Sequence, residues 1–125
     1  GTGPGQFNLP HDVTVDTDKN VYVMDRQNNR CQMFDSNGQY LKEWSDIRGP
    51  NDAVIIDGNI MVVAEGVGSI LTISLDGQVL DRWGKRGDNL GEFRGYPHGI
   101  WVDQNQDLYV AEVGADKALQ KFARL

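Results

Sequence analysis

The sequence predicts an all-β chain: an incomplete β-propeller of three blades, the last lacking its fourth strand. Three observations carry this expectation. A proline-led motif recurs three times, short apolar runs alternate with turn residues, and the intervals between turns leave little room for helices. Pro10-His11-Asp12-Val13, Pro50-Asn51-Asp52-Ala53 and Pro97-His98-Gly99-Ile100 open three units, at spacings of 40 and 47 residues.

Each proline precedes an apolar run that ends in aspartate: Val13 to Asp16, Ala53 to Asp57, and Ile100 to Asp103. These are expected first strands. After turns at Asp18-Lys19-Asn20, Asp57-Gly58-Asn59 and Gln104-Asn105-Gln106, a second run ends in an acid fifteen residues past each proline: Asp25, Glu65, Glu112. Third strands align Cys31 with Ile70 and Leu119, and Phe34 with Ile73 and Phe122. Asp35-Ser36-Asn37-Gly38 and Leu75-Asp76-Gly77 supply hairpin turns, where Asn and Gly tolerate positive φ. Fourth strands run to Trp44 and Trp83, and the third unit has no fourth run before Leu125.

A period near 40 with four short strands per unit describes a propeller blade. First strands such as Val54-Ile55-Ile56 and Ile100-Trp101-Val102 are apolar on both faces, which suits sheets sandwiched between neighbours. A β-sandwich of about eleven strands would also have short strands and turns, but sandwiches rarely repeat their own sequence. The chain reads as one domain of three repeats, at about 1–44, 45–83 and 84–125.

Composition fits a globular, turn-rich chain: 125 residues, 39% hydrophobic, with 15 glycines and 4 prolines. A net charge of -6 argues against nucleic acid as a partner, because counterion release needs a basic surface. The basic cluster of Arg82, Lys85 and Arg86 around Trp83 reads as solvated loop. Apolar stretches such as Ile60 to Ala64 are far too short to cross a bilayer, and Gly1-Thr2-Gly3-Pro4-Gly5 has no signal-peptide character. The chain is expected to be soluble and off the membrane, with its compartment open. Cys31 has aliphatic counterparts in the other units, so it reads as a buried small hydrophobe and not as a nucleophile.

The pattern Gly-x-Phe, Pro-His-Asp-Val, Val-Asp, Val-Tyr-Val, Asp-Arg, Asn-Arg, Gln, Phe and Gly resembles the NHL repeat over nearly the whole chain. The segments Gly1 to Phe7 and Gly87 to Phe93 look like that family's inter-blade loops, and its propellers usually close as six blades. Within the family, the Pro-His motifs are most similar to the last three blades of the peptidyl-α-hydroxyglycine α-amidating lyases. Those enzymes hold zinc on three such histidines. The resemblance implies that His11 and His98 are metal ligands and that Arg26 is an active-site arginine. Gly99 stands where the lyases have a calcium-binding aspartate and Tyr96 where they have a methionine, which speaks against a calcium site.

The residues themselves leave two readings of His11 and His98. They can converge on a channel mouth as zinc ligands, or each can hydrogen-bond a loop backbone. Asp25, Glu65 and Glu112 share one repeat position, and so either join a binding face with Asn51 and Tyr96 or anchor turn amides. Trp44, Trp83 and Trp101 read as blade packing. The expected function is therefore a propeller module that binds a peptide, small ligand or protein. The alternative is a metal-dependent lyase or hydrolase, incomplete in this chain. Three blades make an open arc with apolar residues such as Val13, Val15, Ile100 and Trp101 on its end faces, so a homodimer closing a six-bladed ring is expected.

Overall fold

The computed structural model of the chain describes residues 1–116 and 118–124. Blade one comprises β1 (Pro10–Val15), β2 (Val21–Asp25), β3 (Arg30–Phe34) and β4 (Tyr40–Ser45). Blade two comprises β5 (Pro50–Ile56), β6 (Ile60–Glu65), β7 (Ser69–Ser74) and β8 (Val79–Trp83). Blade three holds β9 (Tyr96–Val102), β10 (Leu108–Val113) and β11 (Leu119–Phe122). Each sheet is antiparallel with its strands in sequence order, as a propeller blade requires. Among the described residues the one helical element is a 3₁₀ turn, Arg26–Asn28, and no helix is long and apolar enough to cross a membrane.

First strands begin earlier than the apolar runs suggested, at Pro10, Pro50 and Tyr96. The extra length carries a bulge. Pro10 pairs with Asp25 and Asp12 with Met24, so His11 is an added residue without a partner of its own. Asn51 and His98 are the added residues in β5 and β9. A bulge bends its strand and re-aims the extra side chain. All three motif residues after proline are therefore redirected in the same way.

Local turn chemistry explains the hairpins. In blade one Asp16 Oδ1 accepts the amides of Asp18 and Asn20, both at 2.9 Å, while Oδ2 accepts the Tyr22 hydroxyl at 2.9 Å. Blade three repeats the arrangement with Asp103, Asn105, Asp107 and Tyr109. Blade two uses a tighter turn in which Asp57 and Gly58 both take positive φ, 51° and 73°.

The core lies in the two seams between blades. Tyr22, Met24, Cys31 and Met33 of blade one pack on Ala53, Met61, Val63, Leu71 and Ile73 of blade two, with Ile47 from the linker. Val62, Ala64 and Ile70 on the other side of blade two meet Ile100 and Val110 of blade three, with Phe93 from the second linker. Burial pushes the Cys31 thiol up, in keeping with its place as a packed hydrophobe. The end faces are open: Val13, Val15, Trp101 and Leu119 are exposed. Ile100, expected with them, is a correction. It faces blade two and is buried in the second seam, because adjacent strand residues point to opposite faces and Trp101 takes the outward one.

Candidate functional site

The bulges bring together residues far apart in the chain. The rings of His11 and His98 stand edge to face, with centroids 5.5 Å apart, although β5 lies between their strands. Arg26, at the start of the 3₁₀ turn after β2, places Nη1 3.1 Å from His11 Nε2. Guanidinium nitrogens only donate, so Nε2 is the acceptor and Nδ1 carries the proton, which it gives to Leu9 O at 3.1 Å. Leu9 adopts a φ of 56°, unusual for a non-glycine, immediately before Pro10. Tyr96 lies exposed two residues before His98, with the Arg86 guanidinium stacked 4.0 Å from its ring centroid.

Asn51 differs from the two histidines. Its Nδ2 donates to Pro97 O at 2.7 Å, while its buried Oδ1 has no hydrogen-bond partner, the one such side-chain atom among the described residues. An unpaired buried acceptor costs about 1–3 kcal/mol, so this atom marks a place where a donor is wanted.

Four residues expected on a binding face, Asp25, Asn51, Glu65 and Glu112, are instead buried. The three acids are corner struts. Asp25 Oδ1 accepts the Asn8 amide at 2.8 Å, Glu65 Oε1 the Arg48 amide at 3.0 Å, and Glu112 Oε1 the Gly95 amide at 2.9 Å. Each acid thus fastens the linker entering its own blade, which is the turn-anchoring role. Arg30 pairs with Asp25 at 2.8 Å, and Arg82 with Glu65 at 2.9 Å. Arg82 is therefore no solvated loop residue. Burial works to raise the Asp25 carboxyl, but the Asn8 amide, Asn28 and Arg30 outweigh it and hold it below its ordinary value.

A further pair of acids, beside those three, was missed by sequence reasoning. Asp12 Oδ2 and Asp52 Oδ1 each lie 2.9 Å from the same Ala53 amide, and Asp52 Oδ2 accepts the Ile100 amide at 2.7 Å. These aspartates stitch each inner strand to the next. The recurrence of aspartate third in two of the three motifs was the available signal.

The NHL repeat model matches residues 7–34, the body of blade one. NHL repeat-containing protein 3 of Homo sapiens is 36% identical over the whole of this chain, which spans 38% of that protein. Its Mus musculus counterpart is 37% identical over 98% of the chain and 37% of its own length. This chain is an NHL-repeat β-propeller. Among solved structures, virginiamycin B lyase from Staphylococcus aureus superposes over 92% of the chain and 41% of its own, with a TM-score of 0.68 at 15% identity, a likeness of fold. The chain spans well under half the length of these relatives.

Proposed function

We propose that this NHL-repeat arc is a binding module whose recognition surface is the bulged mouth around His11, His98, Arg26 and Tyr96. The observation that supports the reading is the common bulge. It re-aims His11 and His98 toward a shared mouth, while the corresponding residue of blade two, Asn51, is buried and donates to Pro97 O between them. A peptide, small ligand or protein loop with N–H and carbonyl groups suits this mixture of guanidinium, imidazole and aromatic ring. The recognition surface is complete once the arc is closed, and a second copy is the proposed closing partner. Three blades at about 60° sweep half a ring, so two copies make six blades about a two-fold axis. Light scattering should give twice the chain mass at micromolar concentration. A folded monomer would remove the second copy from this reading, and association with a different chain would replace it.

The metal-dependent alternative rests on the His11–His98 approach. Two histidines are one ligand short of the usual catalytic zinc centre. Such a centre takes three protein ligands, no cluster of three ligating side chains occurs among the described residues, and Arg26 occupies His11 Nε2. Zinc binding is accordingly expected to be weak and to require that Arg26 let go. Titration calorimetry should find a weak site that tightens in Arg26→Ala and vanishes in His98→Ala; a site indifferent to both excludes this pair. Peptidyl-α-hydroxyglycine lyase activity should be absent, and glyoxylate release lost on chelation would favour the enzyme over the binding module.

A further inference from the structure

The two seams between blades use the same repeat positions but are not equally filled. In the first seam Tyr22 and Met33, paired across β2 and β3, are both buried. The Tyr22 ring lies against Trp44 with centroids 5.5 Å apart and gives its hydroxyl to Asp16. Lys42, opposite Met33 on β4, holds its ammonium 5.9 Å from the centroid of the same tryptophan. The first seam thus holds a second aromatic ring against its tryptophan, and a cation over that tryptophan at the outer strand.

Blade two keeps the tryptophan and changes the rest. The corresponding pair across β6 and β7 is Val62 and Thr72, and on β8 Trp83 lies opposite Ile70 and Asp81 opposite Thr72. Ile56 stands where Asp16 accepts the hydroxyl, each six residues after its proline. The smaller side chains leave a hollow of about 530 Å³ in the second seam, between Ile56, Val62, Thr72 and Trp83 on one side and Leu108 and Phe122 on the other. Exposed at its rim are Asp57, Asp81 and Arg124, two acids to one cation. Ile56 pairs with Ile60 at the hairpin end of β5, so the hollow lies at the opposite end of the strand from the bulge at Asn51. In the first seam the following blade adds Leu75 at the margin, and its counterpart Arg124 already lines the hollow. The interior is filled there by the preceding blade, so the hollow follows from Val62 and Thr72 and not from residues beyond Arg124.

We propose that the second seam binds a small aryl-alkyl amine, with a phenyl ring seated on Trp83 between Val62 and Leu108 and its ammonium at Asp81. The ring takes the place that Tyr22 holds in the first seam, and the ammonium takes the place of Lys42. Ile56 offers no acceptor, so a ring hydroxyl buried beside it would be left unpaired, which favours phenyl over phenol. Asp81 and Asp57 attract a cation at the rim, where it keeps water and escapes the cost of burial. The size fits, since ligand pockets commonly run from about 300 to 1,000 Å³.

The test titrates phenethylamine onto the full chain and follows methyl resonances by NMR, with 2-phenylethanol as the neutral isostere and tyramine as the hydroxylated one. Phenethylamine should shift Ile56, Val62 and Leu108 saturably and give ring-to-methyl Overhauser contacts. The alcohol should bind about tenfold more weakly, and tyramine should also bind more weakly. Val62→Phe fills the hollow and should raise Tm while abolishing the shifts. Asp81→Lys alters an exposed side chain. It should bring the affinity for phenethylamine down to that for the alcohol and leave the alcohol unchanged. Equal binding of amine and alcohol, a preference for tyramine, shifts confined to the bulged mouth, binding indifferent to Asp81→Lys, or no saturation by about 10 mM would each overturn the proposal.

Discussion

Cys31, Ile70 and Leu119 hold one position of the repeat, yet the first two are 1% and 0% exposed and the third is 69% exposed. Val13, Ala53 and Ile100 hold another, at 59%, 8% and 8%. The local code is the same in each case, and what differs is whether a neighbouring blade is there to receive the side chain. Burial in this fold is a property of the seam between repeats, as expected of a quasi-one-dimensional array. The end faces keep the apolar residues of a seam without the second half.

The largest expected effect comes from breaking a seam. Ile70→Ala empties a fully buried site against Ile100 and Val110 and should cost about 2–5 kcal/mol in chemical denaturation. Leu119→Ala, at the same repeat position, should stay within about 0.5 kcal/mol in dilute monomer. Should the two substitutions cost the same at low concentration, the end face of blade three is already covered. If the cost of Leu119→Ala grows with protein concentration, that face becomes a seam on association.

A smaller effect should separate a cation at an acid corner from one on the surface. Arg82→Ala leaves Glu65 buried without its cation and should cost about 2–3 kcal/mol, whereas Arg94→Ala removes only an exposed, loosely paired guanidinium and should cost almost nothing. In blade one the corner also sets acid stability. Because Asp25 titrates below its ordinary value in the fold, its contribution is fully present above the unfolded aspartate pKa, near 4, and is lost as pH falls through the lower folded value. Arg30→Gln should therefore move the acid-unfolding midpoint upward. An unchanged midpoint would mean that the amides of Asn8 and Asn28 alone hold the carboxylate.

The blades were legible in the sequence because every strand position recurs in register, and Cys31 could be read through its aliphatic counterparts. The mouth was legible only in part. Proline followed by histidine pointed to His11 and His98, and their approach follows from the bulges, but no sequence period announces a bulge. Arg26 was singled out by resemblance alone; that it bonds His11 depends on the 3₁₀ turn, which no residue pattern specified. The acid corners were ambiguous because an acid at a strand end serves a ligand or a loop amide equally well until the linker path is known. The orientation of Ile100 could not be read from a first strand that is apolar on both faces.

The smallest expected effect concerns the aspartates that join the inner strands. Ala53 has one N–H, and Asp12 and Asp52 both reach it at 2.9 Å, so two carboxylates crowd one donor. Burial pushes the Asp12 carboxyl up to about 6, the Ala53 amide pulls it down, the nearby Asp52 charge pushes it up again, and a bond to the Val13 amide holds it back. A raised folded value means that the protonated form is favoured in the native state. Its stabilisation is complete below the unfolded pKa, near 4, and is lost as pH rises toward about 6. Asp12→Asn keeps an oxygen for Ala53 and removes the charge. It should raise Tm slightly at pH 7 and flatten the stability profile between about pH 4 and 6, with little change below pH 4. Blade three carries Gly99 in this position, so its inner strand has no carboxylate to extend to a further blade. A fall in Tm at pH 7 on Asp12→Asn would show that the ionised carboxylate strengthens the first seam, and that the crowding is relieved by a cation or a shared proton.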